Sequence, residues 1–136
     1  MGNNAGLTYD MFKPIMLVNS ACSAITVKAD DDRFNSLEDF IEYSKNNEVT
    51  VGNSGIGAIW HLAAAGLAKT AGTEFKHVGY DGAAGAITDL LGGHIDAVAV
   101  SYSEVNSFVQ SGDLKVLAVM ANDRLAAIPD VPTCKE

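Results

Sequence analysis

The chain of 136 residues is 48% hydrophobic and 19% charged, a composition typical of one globular domain and unlike that of a disordered protein. Its formal net charge is −8 and its lysines are scattered, which argues against nucleic acids and anionic membranes as partners, because binding there depends on clustered basic side chains. The sequence has no apolar run near the roughly 18 residues of a membrane span and no recognisable signal peptide.

Apolar runs alternate with helical periodicity after a flexible lead at residues 1–11. Strands rich in Val and Ile are expected at 12–19, 24–29, 49–53, 75–80, 95–100 and 114–121. The helices between them are expected to end near Lys45, Gly72, Gly92 and Gly112. This alternation predicts an α/β fold with a mostly parallel sheet and helices on both faces. In such sheets, ligands bind at the carboxyl ends of the strands, beside helix N-termini.

Individual residues predict where the helices begin and which face they bury. Ser36 to Asp39 has the pattern of a capping box, in which a hydroxyl and an acid satisfy free amides. Asp81 and Ser103 are expected to cap the third and fourth helices. The apolar residues of the second helix share one face, the pattern of a helix that packs on a core: Ile59, Leu62, Ala63, Gly66 and Leu67.

A glycine loop, Ser54-Gly55-Ile56-Gly57, joins the third expected strand to the second helix. Gly55 and Gly57 allow a ligand to approach the backbone closely, and the start of the helix carries partial positive charge. Together they predict an anion site without Lys or Arg, with the amides of Gly55 to Ala58 facing the ligand. The alternative is a tight turn in which the glycines serve geometry alone. Trp60 stands where a dinucleotide fingerprint would need glycine, which disfavours a nucleotide.

Two further loops, at Tyr80–Ala83 and Ser101–Ser103, are expected at the same sheet edge. His61, in the first helical turn, either donates to a carboxylate or bonds a carbonyl of the loop. Tyr80 either faces the ligand or packs at the edge. The predicted ligand-binding residues are Asn53, Ser54, Gly55, Ile56, Gly57, Ala58, His61, Tyr80, Asp81 and Ser101.

Nothing in the sequence predicts catalysis, a metal site or a cofactor. Ser54 is not in a Gly-x-Ser-x-Gly elbow, and no nucleophile accompanies His61. Asp30 to Asp32 reads as a solvated turn. Cys22 and Cys134 lack ligand-spaced neighbours, and we expect two free thiols packed as small hydrophobes.

Several motifs in a fixed order resemble the solute-binding receptors of tripartite tricarboxylate transporters, the Bug or TctC-like family. They are YDMFKPI at 9–15, SLEDFIEYSK at 36–45, VGNSGIG at 51–57, HLA at 61–63, HVGYDG at 77–82, DLLGGHIDA at 89–97, SGDLKVLAV at 111–119 and LAAIPDVPTCKE at 125–136. Each motif is modest alone, but the order is specific. Members usually have Pro where Gly79 stands and a basic or polar residue where Asp81 stands.

The resemblance implies the type II periplasmic-binding-protein fold, with two lobes around a cleft and main-chain amides that hold a carboxylate. This chain then corresponds to the second lobe, at 30–113, with hinge-side strands at 12–29 and a returning antiparallel hinge strand and tail at 114–136. The implied function is to capture a di- or tricarboxylate, or an amino acid whose ammonium meets Asp81. The implied partners are a first lobe and the subunits of a membrane transporter, in the periplasm or at the cell surface.

The alternative function is an α/β module or enzyme that binds a nucleotide or phosphorylated metabolite at 54–58. A further expectation concerns the hinge strands at 24–29 and 114–121, which are apolar on both faces. Without a first lobe, these strands would face water together with Phe12, Ile15, Leu17 and Val18. We therefore expect the isolated chain to form a homodimer through them.

Overall fold

A computed structural model describes residues 6 and 8–136. Its strands are β1 Ser23–Lys28, β2 Thr50–Asn53, β3 Lys76–Gly79, β4 Ala97–Ser101 and β5 Leu114–Val119. Its helices are α1 Leu37–Asn46, α2 Ile59–Ala71, α3 Ala83–Leu91 and α4 Tyr102–Ser111, preceded by a 3-10 turn at Tyr9–Met11. The five strands form one sheet in the order β3-β2-β4-β1-β5.

The sheet is mixed rather than mostly parallel, with two parallel and two antiparallel pairings of neighbouring strands. Strand β2 pairs in parallel with β3 and β4, so these three strands end at one edge. Strand β1 runs antiparallel to both of its neighbours, β4 and β5. The expected antiparallel hinge strands, 24–29 and 114–121, are therefore paired with each other as β1 and β5.

Helices cover both faces of this sheet, which gives the core two halves. On one face, Phe34, Phe40 and Phe75 pack with buried side chains of β1, β2 and β4. On the other face, Leu90 of α3 and Val105 of α4 lie among the remaining buried residues of β4 and β5. This is the layered α/β arrangement that the alternation of strands and helices predicts.

The start of α1 and the C-terminal ends of α2 and α4 are as predicted, but the start of α3 is not. Ser36 and Asp39 form the predicted capping box at α1, and Gly72 and Gly112 end α2 and α4 with left-handed φ values of 68° and 83°. Asp81 was expected to cap α3, but that prediction is wrong because the N-cap is Gly82, with φ 117°.

The predicted cap of α4 is also wrong by two residues. The N-cap is Ser101, whose N–H donates to the carboxylate of Glu104 at 2.9 Å. Ser103 lies inside the first turn, and its hydroxyl contacts that of Ser101. The acid three residues after the cap, rather than the serine alone, therefore determines where this helix begins.

The buried face of α2 differs from the predicted one. Ala64 and Ala68 pack against the sheet, whereas Ile59 and Leu62 are 68% and 61% exposed. Because α2 is apolar on nearly all sides, periodicity cannot choose its buried face. The small alanines bring the helix close to the sheet and turn the larger side chains outward.

The predicted strand at 12–19 is absent, and this segment has no regular secondary structure. Its apolar side chains are exposed, with Ile15 at 94% and Val18 at 86%. The hinge strands behave differently from the expectation, because β1 lies inside the sheet and Ile25, Val27 and Val119 are fully buried. The described part of the chain therefore closes its core around β1 and β5, while the apolar side chains of 12–18 stay exposed.

Both cysteines are free thiols in half-buried positions, as expected. Burial and the neighbouring Cys22 raise the pKa of the Cys134 thiol to about 11. At neutral pH, Cys134 is therefore protonated and a poor nucleophile.

Candidate functional site

The three predicted loops meet at one edge of the sheet. Asn53, the last residue of β2, pairs with Gly79 at the end of β3, and β4 ends beside them at Ser101. Helices α2, α3 and α4 each begin just after one of these strands. This is the edge at which open α/β sheets bind ligands.

The glycine loop is folded onto itself by hydrogen bonds. Gly55 and Gly57 have φ values of 130° and 84°, which only glycine adopts readily. Three of the four amides expected to face a ligand already have partners in the chain. The N–H of Gly55 donates to Asn53 Oδ1 at 3.1 Å, that of Gly57 to His61 Nδ1 at 3.0 Å and that of Ala58 to the Gly55 carbonyl at 3.1 Å. The prediction that all four amides face a ligand is therefore wrong for these three.

The open donors follow directly after the loop, at the start of α2. Ala58 is its N-cap and provides no side-chain hydrogen bond, so the first-turn amides, from Ile59 onward, lack the usual cap. Helix α3 also starts at this edge without a side-chain cap, at Gly82. By contrast, Glu104 supplies an acid to the start of α4. The positive helix ends available at this edge are therefore those of α2 and α3.

Asn53 connects strand β2 to the loop. The residue is fully buried, its Oδ1 accepts the Gly55 N–H, and its backbone carbonyl accepts the N–H of Tyr80. Its Nδ2 is buried with no hydrogen-bond partner in the described part of the chain. Such a donor is costly to leave unpaired.

Of the two roles predicted for His61, the bond to a loop carbonyl is wrong, and donation to a carboxylate stays a prediction. Its Nδ1 accepts a hydrogen bond from the loop amide of Gly57 instead of bonding a carbonyl. Its ring lies edge to face against His77 of β3, with 4.6 Å between the ring centroids. Burial and the neighbouring His61 lower the pKa of His77 below its usual 6.5. His77 is therefore neutral at physiological pH.

Tyr80 packs at the edge rather than presenting its hydroxyl to a ligand. The hydroxyl donates to Asp89 Oδ2 at 2.7 Å, and the ring lies beside Gly52 and Gly85. Burial and the Asp89 carboxylate raise the pKa of Tyr80 to about 12. Asp81, the next residue, is exposed at the same edge.

Ser101 lies beside a cavity of about 310 Å³. The cavity is also lined by Ser103 and by two segments that sequence reasoning did not connect with the site, 19–22 and 125–127. Nothing in the local sequence indicates that the tail returns here, since the contact depends on the fold of the whole chain. Glu104 and Asp89 were also not predicted. Glu104 accepts from the Ser101 N–H and Asp89 accepts from the Tyr80 hydroxyl, and these contacts depend on how the helices pack.

In the described range, 6 and 8–136, no group of three or more His, Cys, Asp or Glu side chains is placed to hold a metal ion. No helix within that range is long and apolar enough to cross a membrane.

The family model for TctC, the tripartite tricarboxylate transporter family receptor, matches residues 5–136 of the chain. The chain belongs to this receptor family. A UPF0065 protein of Cupriavidus necator is 33% identical over 108 residues, which cover 78% of this chain and 33% of that protein.

Solved structures show the same fold for this receptor chain. A TctC solute-binding protein from Polaromonas is 44% identical with a TM-score of 0.82, and the match covers 85% of this chain and 40% of that one. The periplasmic binding protein BugD is 30% identical with a TM-score of 0.76, covering 83% and 38%. These relatives are solute-binding receptors and not enzymes, and the chain spans about two fifths of their length.

More distant structures share the fold and contain ligands of their own. MatC from Rhodopseudomonas palustris, 18% identical with a TM-score of 0.74, holds malate, and a second protein of that organism, 23% identical with a TM-score of 0.77, holds adipate. Ancestral arginine-binding proteins share the fold at a TM-score of about 0.5. The type II periplasmic-binding-protein fold expected from the sequence is thereby confirmed.

Proposed function

We propose that this chain is the part of a solute-binding receptor that holds a small carboxylate at the start of α2. The observation that carries the proposal is the uncapped N-terminus of α2, directly behind two glycines with positive φ. A helix N-terminus of this kind supplies free N–H donors and a positive dipole to an anion. The overall charge of −8 does not oppose this, because distant surface charges are screened over roughly 10 Å.

The proposed contacts are mainly to the backbone. The first-turn amides of α2 bind one carboxylate, and the nearby start of α3 at Gly82 provides a second positive end for a dicarboxylate. An amino acid is the alternative solute, because Asp81, exposed beside Gly82, can meet an ammonium group in place of the second carboxylate. Asn53, Gly55, Gly57 and His61 shape the loop, and the remaining proposed site residues are Ser54, Ile56, Ala58, Tyr80 and Ser101.

The proposed receptor extends beyond this chain. Because the chain spans about two fifths of its solved relatives, we propose that a first lobe closes over the α2 edge and that β1 and β5 serve as the hinge. The lobe proper is then 30–113, flanked by 12–29 and 114–136. Delivery of the solute to the subunits of a membrane transporter, in the periplasm or at the cell surface, completes the proposed function.

Thermal-shift and calorimetric titrations with a chemically graded panel test this proposal. The panel contains malate, adipate, citrate, aspartate and, as a competing class, a nucleoside triphosphate. Stabilisation by one or more carboxylates but not by the nucleotide supports the proposal. Stabilisation by the nucleotide alone contradicts it and favours a nucleotide-binding module at residues 54–58.

We also propose that the isolated chain self-associates through residues 12–18. This segment lacks regular structure and presents Phe12, Ile15, Leu17 and Val18 to solvent. An exposed extended apolar segment is prone to pair with a second copy. Light scattering over a dilution series is expected to show a dimer that dissociates on dilution and is absent in Ile15→Lys/Leu17→Lys. A monomer at every concentration contradicts this proposal and leaves the binding proposal untouched.

A further inference from the structure

One side chain ties the glycine loop to the helix that follows it. The loop is held to β2 through Gly55 and Asn53, and to α2 through Gly57 and His61. The bond between the Gly57 N–H and His61 Nδ1 is 3.0 Å long and closes a four-residue span across the start of α2. Adding a Cβ at Gly57 would meet nothing within 4 Å, so packing does not fix this position. The imidazole is therefore the contact that fixes the Gly57 end of the loop.

This bond requires one state of the imidazole. An imidazole nitrogen accepts a hydrogen bond only through a lone pair, so Nδ1 must be unprotonated and, in the neutral ring, Nε2 carries the proton. An imidazolium has a proton on both nitrogens and accepts nothing. Protonation of His61 and the Gly57 hydrogen bond are therefore mutually exclusive.

We propose that His61 is a positioning residue whose neutral imidazole holds the glycine loop in its binding conformation, and whose protonation releases Gly57. The effect on the loop follows from the geometry alone, and the effect on solute affinity rests on the proposed function. His61 acts through the loop and does not itself contact the solute.

The surroundings of His61 offer little to offset a positive charge. His77 is the titratable group packed against it from β3, at 4.6 Å between centroids, and the residues of the loop, 54–58, include no titratable side chain. Lys69 and Glu74 line a groove together with His77. Among the described residues, neither imidazole is hydrogen-bonded to a carboxylate. A proton on His61 thus breaks the loop contact without forming an ion pair there.

Two substitutions separate the acceptor from the charge. In His61→Asn, the side-chain oxygen can take the place of Nδ1 as acceptor but does not titrate near neutral pH. In His61→Leu, the acceptor is lost while an apolar side chain remains to pack. At about pH 8, solute affinity is expected to be retained in His61→Asn and about five- to tenfold weaker in His61→Leu.

Nuclear magnetic resonance of the ¹⁵N-labelled chain tests the inference without any solute. The ring spectrum is expected to show the Nε2–H tautomer of His61, and the Gly57 amide signal to shift and lose exchange protection in step with the titration of that ring. In His61→Asn, the Gly57 signal should stay constant over the same pH range. A Gly57 amide that ignores the titration of His61, or an Nδ1–H tautomer, overturns the inference.

The solute titration separates this inference from the proposed function. If no carboxylate binds to the natural chain, to His61→Asn or to His61→Leu, the proposed function fails. The Gly57 amide signal still tests the loop contact in that case. If carboxylates bind equally to His61→Leu and the natural chain, the positioning role is overturned and the proposed function stands. His94→Gln, which alters an exposed histidine in a turn, is the control for general effects of removing a histidine.

Discussion

Replacing Ala58 with aspartate should move stability and binding in opposite directions. Ala58 is the N-cap of α2, has extended φ and ψ of −72° and 167°, and gives the helix no side-chain bond. An aspartate in this conformation can accept free amides of the first turn, as the Ser36 side chain does from the Asp39 N–H at α1. Replacing alanine with a capping side chain at an N-cap stabilises by about 0.5–2 kcal/mol, and a negative charge there interacts favourably with the helix dipole.

The same carboxylate occupies the proposed anion site. A solute carboxylate would then compete with a covalently attached one and meet its negative charge, so we expect affinity to fall at least about tenfold, or roughly 1.4 kcal/mol. Urea unfolding measures the free energy of unfolding, and calorimetry with the best carboxylate of the panel measures affinity.

Two control variants separate the cap from the charge. Ala58→Ser adds a cap without a charge and should stabilise with a smaller loss of affinity. Ser107→Asp adds the same charge to an exposed position inside α4 and should leave affinity unchanged. A less stable Ala58→Asp would refute the view that the α2 amides are open, and unchanged affinity in that variant would refute their role in binding.

Three other outcomes follow from contacts at the same edge. A Cβ on Gly79 would lie 2.8 Å from the Ile56 nitrogen and 2.7 Å from Ile56 Cγ1. Gly79→Ala should therefore lower the free energy of unfolding by about 1–3 kcal/mol and shift the amide signals of the loop. Unaltered stability and unaltered signals would contradict this contact. A Cβ on Gly57 would meet nothing within 4 Å, but Gly57→Val must adopt φ 84°, which costs about 1–3 kcal/mol in strain. The loss in binding free energy measured by calorimetry should exceed the loss in the free energy of unfolding measured in urea. Because the pKa of His77 is lowered in the folded chain, the unfolded chain binds the proton first, and the free energy of unfolding should fall as the pH drops through 6.5. Urea unfolding should show a weaker pH dependence in His77→Phe than in His94→Gln. Equal pH dependence in the two variants would refute the role of His77.

The fold was largely predictable because its signals are local and repeated. Valine-rich runs, a capping box at Ser36 and glycines at 72 and 112 each act within one turn or strand, and the structure places β2, β4 and α1 close to their expected bounds. The segment at 12–19 was mistaken for a strand because its composition suits one. A strand also needs a partner, and the described chain offers none for that segment.

The position of the site was predictable, but its contacts were not. The rule that ligands bind at the carboxyl ends of parallel strands brings Asn53, Tyr80 and Ser101 together from sequence alone. Which amides stay free depends on side chains that compete for them, such as His61 for Gly57. Similarly, the Tyr80 hydroxyl is taken by Asp89 of α3, a pairing set by the packing of a helix and not by any motif.

Chemical-shift mapping of a carboxylate on this chain tests the central claim most directly. In a titration of the ¹⁵N-labelled chain with malate or adipate, the largest changes are predicted at the first-turn amides of α2, Ile59 and Trp60, with smaller changes at the start of α3. The opposite edge of the sheet provides an internal comparison, since a groove of about 730 Å³ lies there between 44–48 and 72–76. Changes centred on that groove, or none at the start of α2 at saturating solute, would contradict the assignment of the carboxylate site.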